Sequence, residues 1–184
     1  DNRKVRAACL VYNDEGTRVA RYDKIHLFDV HIVETKERYV ESDTLEPGTE
    51  TVVVDSPFGK LGIAVCYDLR CPELFRALLD KGTEIICLPA AFTAFTGKAH
   101  WKPLIRARAI ENQCYVIAAG QGGFHVNGRE THGNSMIVDP WGNVLSKTGR
   151  ETGSVSHSLD LDYLEKTRRK FPVIKHRTLH LNCS

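Results

Sequence analysis

The chain has 184 residues, 42% of them apolar and 26% charged, with a net charge of +2. That length fits one domain, residues 1–184, with a sizeable core, and the weak charge excludes a global pull towards nucleic acid or an anionic membrane. No apolar run is long enough to span a bilayer, and the opening D-N-R-K-V-R lacks the apolar stretch of a secretory signal.

In chain order, Val5–Tyr12 and Thr17–Tyr22 read as strands joined by Asn13-Asp14-Glu15-Gly16, a hairpin signal. Asp29–Glu50 is polar and closes on Pro47-Gly48, which suggests a long surface loop. Thr51–Val54 and Leu61–Cys66 are the next strands, divided by the turn Ser56-Pro57-Phe58-Gly59. Leu74, Phe75, Leu78 and Leu79 mark one face of a helix that stops at Gly82. Ile85–Leu88 is a strand, and His100–Asn112 a helix with Leu104, Ile105 and Ile110 inward and Arg106, Arg108 and Glu111 outward. Tyr115–Ala119, the hairpin Met136–Asp139 to Val144–Ser146, a strand Val155–Leu159 and a helix Tyr163–Lys170 complete the chain. Strands alternating with helices predict an α/β fold, and the hairpins predict a mixed sheet.

Cys66 stands where an apolar strand stops, and Pro72-Glu73 opens the following helix. A cysteine at such a junction is placed for chemistry, since helix N–H groups favour the thiolate. A buried, inert thiol fits the same stretch. The other cysteines are Cys9, Cys71, Cys87, Cys114 and Cys183, with no C-x-x-C pair among the six. This argues against a zinc site or a thioredoxin-like motif, and for reduced core thiols of a cytoplasmic protein without structural disulfides.

Taken together, Y-D-K-I-H-L-F, G-I-A-V-C-Y-D-L-R-C-P-E-L, L-P-A-A-F-T, H-W-x-x-L-I-R-A-R-A-I-E-N-Q-C-Y-V and H-G-N-S-M-I-V-D-P-W-G resemble the nitrilase superfamily of carbon–nitrogen hydrolases, in its amidase branch. The likeness runs from about Asn13 to about Arg177. It implies an α-β-β-α sandwich with mixed sheets, a Glu–Lys–Cys triad, no cofactor or metal, a small amide as substrate, and assembly into a homodimer or larger homo-oligomer. Onto this sequence it places Cys66 as nucleophile and Lys24 as the triad lysine, and Glu41 matches a second family glutamate. The family's general-base glutamate belongs to a region that precedes the Asn13 hairpin. None of Asp1, Asp14, Glu15 and Asp23 matches it, so the chain corresponds to the C-terminal two-thirds of such a hydrolase, with the sandwich incomplete at its N-terminus.

A thiol that hydrolyses an amide needs a reachable carbonyl carbon and positive charge where the oxyanion forms. Lys24 would favour the thiolate and stabilise that oxyanion, although a solvated strand-edge lysine is the ordinary fate of this residue type. Glu41 would position the leaving amine or hold Lys24 protonated; otherwise it is a solvated loop carboxylate. Arg70, four residues after Cys66, and the neighbouring Tyr67 are candidates for binding substrate, Arg70 through a carboxylate, with a structural salt bridge as the commoner role of such an arginine. Glu111 and Asn112 read as packing and capping, and His26, His100 and His132 as structural. The competing readings are a non-catalytic subunit that acts through an uncovered sheet face, and a thiol redox sensor at Cys66 and Cys71.

Overall fold

A computed structural model describes residues 4–126 and 128–179; Asp1 and Cys183 lie outside them. The first two strands, β1 (Ala8–Tyr12) and β2 (Arg18–Asp23), pair antiparallel. Their turn forms because the Asn13 side chain accepts the N–H groups of Glu15 at 3.2 Å and Thr17 at 2.8 Å, while Gly16 takes a φ of 76° that other residues resist.

The next segment departs from the expected loop. Asp29–Ile32 (β3) and Glu37–Val40 (β4) pair antiparallel, and a short 3-10 turn, Glu41–Asp43, follows. Val30 faces Tyr39 across the ladder and Ile32 is buried. This two-residue alternation is diluted by the Val33–Lys36 turn, and it organises what the composition presents as a polar loop.

The remaining large elements build one layered unit. Strands β5 (Val53–Ser56) and β6 (Gly59–Ile63) form a hairpin, α1 spans Pro72–Asp80, and β7 spans Ile85–Ala90. Helix α2 covers Ala94–Asn112 and leads into β8 (Tyr115–Gly120). A small ribbon, β9 (Gly122–Phe124) and β10 (Glu130–His132), comes next, then β11 (Met136–Val138), β12 (Val144–Lys147) and α3 (Leu161–Lys170). The main sheet runs β12-β11-β8-β7-β6-β5, with β6, β7 and β8 parallel and its outer pairs antiparallel. The mixed α/β sheet is therefore as expected.

Alternation along β7 sends Ile86 and Leu88 into the main core with Leu74, Phe75 and Leu78 of α1 and Trp101 and Ile105 of α2. Ile85 points into a smaller cluster with Tyr115 and Leu164. Cys9 and Val11 of β1 pack on the main cluster, whereas Leu10, Tyr12 and Val19 of the same ribbon remain exposed.

Three further readings need correction. Helix α2 begins six residues before His100, because Thr93 caps it by accepting the Thr96 N–H at 3.2 Å, and Pro103, which suits a first turn, lies well inside. On its last turns Arg108 is buried and Ile110 exposed, the reverse of expectation. The Arg108 guanidinium donates twice to Leu69 O, at 3.1 and 2.9 Å, meets Glu111 at 2.7 Å and covers the Phe75 ring, so its burial is fully compensated. Finally, residues 155–159 form no ladder among the described residues; Leu159 joins the Ile85 cluster, and Asp160 caps α3 by accepting the Tyr163 N–H at 2.9 Å.

Candidate active site

The β6 strand stops at Ile63, and the chain turns through Val65 into a 3-10 segment, Cys66–Arg70. Cys66 itself has a φ of 51°. A left-handed backbone at a residue with a Cβ costs on the order of 1–2 kcal/mol and persists only where the surroundings impose it. Here Asp68 imposes it. Its fully buried carboxylate accepts the Val65 N–H at 2.8 Å, the Tyr22 hydroxyl at 2.7 Å and the His26 N–H at 3.0 Å, with His26 Nδ1 at 2.7 Å. One carboxylate thus fastens the Cys66 turn to the segment that carries Lys24.

Lys24 is 2% exposed and pairs with the Glu41 carboxylate. The same Glu41 oxygen accepts the Phe28 N–H at 2.8 Å. Main-chain bonds at both ends, Lys24 N–H to Ala7 O at 2.8 Å and Gly48 N–H to Lys24 O at 2.9 Å, fix where the lysine enters. Gly48 is required there, since a Cβ would meet Asp23 O at 2.1 Å. A desolvated lysine is stable only beside such a carboxylate, so neither residue has the solvated role common to its type.

Cys66, Lys24 and Glu41 line one cavity of about 660 Å³, together with Tyr67, Arg70 and Arg129. Glu41 is the acidic residue among its described lining. The main-chain group that acts on the Cys66 thiol is the N–H of Ala91, one residue beyond β7. Burial pushes the Cys66 thiol up, while the Ala91 N–H, Lys24 and Arg129 pull it down and Glu41 opposes them. Burial is the largest of these influences, so the thiol lies above its ordinary value, whereas the strand–helix junction suggested a favoured thiolate.

Arg70 has no carboxylate partner among the described residues, which sets aside the structural salt bridge. Its guanidinium lies 4.9 Å from the Phe92 ring centroid and 5.7 Å from that of Tyr67, and Nη1 is 3.0 Å from His100 Nδ1. Burial lowers its pKa without threatening its charge at neutral pH. Tyr67 in turn packs 5.1 Å from the Phe28 ring. His26 serves Asp68, His100 serves Arg70, and the His132 ring backs onto Gly97, so none of the three stands as a base in the cavity lining. Glu111 and Asn112 pack as expected, through Arg108 and Arg76. No group of three or more metal-ligating side chains occurs among the described residues.

Sequence reasoning missed Asp68, Tyr22, Ala91 and Arg129. Asp68 carries a weak signal, an acid two residues after the candidate nucleophile. Arg129 carries none, being a cation in a polar loop.

A family model described as carbon-nitrogen hydrolase matches residues 1–169. The deaminated glutathione amidase of Yersinia enterocolitica is 46% identical over 172 residues, covering 94% of this chain and 60% of that protein. The crystal structure of the Caenorhabditis elegans NitFhit protein superposes with a TM-score of 0.86 at 42% identity, over 95% of this chain and 42% of that one. An amidase from Nesterenkonia sp. AN1, solved after acrylamide had added to its active-site cysteine, gives a TM-score of 0.73 at 26% identity, over 90% of this chain and 61% of that one. The chain thus spans about 60% of the length of the Yersinia relative.

Proposed function

The chain belongs to the carbon–nitrogen hydrolase family, and on that premise we propose that its cavity hydrolyses the C–N bond of a small linear amide through Cys66. The observation that carries this reading is the convergence of a cysteine, a buried lysine and a carboxylate on one cavity. In the reaction the Cys66 sulfur bonds to the amide carbon, and its proton passes to a carboxylate base. The carbonyl oxygen becomes an oxyanion, which Lys24 and a main-chain N–H stabilise; removing one such donor typically raises a barrier by about 3–4 kcal/mol. Collapse returns the proton to the leaving nitrogen, expels ammonia and leaves a thioester at Cys66. Water then attacks the thioester, releasing the carboxylic acid and restoring the thiol.

Glu41 holds Lys24 charged and is the base available within the described cavity; a further glutamate from a preceding region is the family's arrangement. Arg70 and Tyr67 bind the substrate away from the reacting carbon, Arg70 through a carboxylate. The Yersinia relative's name supports deaminated glutathione as the amide, and the A-F-T-G-K-A-H-W stretch leans the same way. The amidase names of the relatives favour this reading over a non-catalytic subunit.

A homo-oligomer and a cytoplasmic setting belong to the same proposal. They are supported by exposed Ile110, Trp141, Phe171 and Val173 on one side, and by five free thiols among the described cysteines. No helix among the described residues is long and apolar enough to cross a membrane.

The test is ammonia release by the purified chain from deaminated glutathione and from α-ketoglutaramate, with Cys66→Ala as control. Release that requires Cys66 supports the proposal. If a folded chain releases no ammonia, alone or after addition of the family's N-terminal region, the proposal fails.

A further inference from the structure

Arg129 lies in the loop just before β10, far in sequence from every residue of the Cys–Lys–Glu set, yet its guanidinium touches both walls of the cavity. On one side Nη2 donates to Ala91 O at 2.7 Å, and residue 91 lines the same cavity as Cys66, where its N–H lowers the thiol pKa. On the other side the guanidinium carbon stands 5.3 Å from the Tyr39 ring centroid. The Tyr39 ring packs 4.9 Å from Phe28, whose N–H anchors Glu41 at 2.8 Å. The loop is itself held: Arg129 O accepts the His125 N–H at 2.9 Å, Thr131 bridges to Thr93, and the His132 N–H donates to Phe92 O at 2.9 Å. An arginine on that support can act as a strut. Its planar fork serves a carbonyl and an aromatic face together, which a lysine ammonium does not.

We propose that Arg129 is a positioning residue of the Cys66 cavity: its guanidinium pins the main chain at residue 91, keeps the Ala91 N–H on the Cys66 sulfur, and braces that strand end against Tyr39. The inference rests on Cys66 as the attacking thiol. The charged groups that act on the sulfur are Lys24 and Glu41 from the β2 and β4 side, Arg70 from its own turn and Arg129 from the β10 side, and Tyr67 and Cys71 act on Arg70. Arg129 is the member of this set that also hydrogen-bonds the main chain at residue 91.

The test is iodoacetamide alkylation of Cys66 in the full chain, from about pH 6 to pH 11, with the Cys66 peptide quantified by mass spectrometry. Arg129→Met raises the midpoint by about one pH unit, because a cation and an aligned N–H are lost together. Arg129→Lys keeps the charge but loses the strut, and its midpoint falls between the two. Tyr39→Leu removes only the brace and moves the midpoint upward by less. An unchanged midpoint in Arg129→Met, checked as folded by circular dichroism, overturns the proposal, as does a wild-type midpoint in Arg129→Lys. Should Arg129→Met not fold, a wild-type midpoint in Arg129→Lys still overturns it. The measurement needs no turnover, so absent ammonia release counts against the amidase reading alone.

Discussion

The Tyr22 hydroxyl donates to the Asp68 carboxylate at 2.7 Å, across 46 residues of sequence, and both groups are fully buried. Tyr22 stands two residues before Lys24 and Asp68 two after Cys66, so this bond sets the spacing between lysine and thiol. Burial and the neighbouring Asp68 push the Tyr22 pKa well up, as for a phenol that keeps its proton. Asp68→Ala leaves the Tyr22 hydroxyl and the Val65 and His26 N–H groups without their acceptor. The expected loss is about 3–5 kcal/mol of stability, read from the urea midpoint, and ammonia release should vanish with it. Tyr22→Phe removes the bond to Asp68 and the 3.3 Å bond accepted from the Ile25 N–H, and should cost about 1–2 kcal/mol. A Tyr22→Phe loss as large as that of Asp68→Ala would contradict this distribution.

The charges around Cys66 predict opposite shifts for two variants. Lys24 lowers the thiol pKa and Glu41 raises it, while burial outweighs both. Lys24→Met should therefore move the alkylation midpoint of Cys66 upward, and Glu41→Gln should move it downward. Both should lose amidase activity, the first through the oxyanion and the second through the lysine it holds and the proton it accepts. A downward shift in Lys24→Met would show that the lysine does not face the sulfur.

The parts of this site that sequence reasoning captured are those whose identity is carried by neighbours in the chain. Cys66 follows an apolar strand and precedes Pro72; Lys24 and Glu41 sit in short local patterns. Arg129 and Ala91 matter only because a loop is folded against a strand end, a relationship with no local trace. The same limit explains α2. Arg108 and Ile110 are two positions apart, and the helical pattern favoured the apolar residue for the interior. Tertiary contacts reversed it: Leu69 O and the Phe75 ring accommodate the guanidinium, while Ile110 lies against the Gly142 turn. Residues 155–159 alternate as a strand does, yet Leu159 is held by the Ile85 cluster and not by a ladder.

The buried thiols predict the alkaline limit of stability. Burial pushes Cys114 and Cys87 up to about 11, from an ordinary value of 9.0. Between those values the unfolded chain releases protons that the folded chain retains, so stability falls as pH rises through that window. Below pH 9 this contribution is fully present. Each thiol adds a slope of at most about 1.4 kcal/mol per pH unit. Unfolding midpoints measured from about pH 8 to pH 11 should decline, and Cys87→Ala should flatten the decline. Equal slopes in the variant and the parent would remove Cys87 from this account.

Arg70 gives the sharpest test of how the substrate is chosen. Its guanidinium is held flat by Phe92 and Tyr67, bonded to His100, and left without a carboxylate among the described residues. A half-buried, immobilised cation on the cavity wall favours an anionic ligand, because the ordering cost has already been met in the fold. Two small alkylating reagents separate charge from reactivity: iodoacetate carries the carboxylate and iodoacetamide does not. Relative to free cysteine, Cys66 should prefer iodoacetate, and Arg70→Met should abolish the preference by a factor of about ten, the scale of a lost charge-assisted hydrogen bond of about 1.4 kcal/mol or more. For amide hydrolysis the same variant should raise KM for a carboxylate-bearing amide by a similar factor and change kcat less, since in this reading Arg70 binds the carboxylate and Lys24 the oxyanion. If Arg70→Met leaves both ratios unchanged, the carboxylate is bound elsewhere in the cavity, and Arg129 becomes the cation to test.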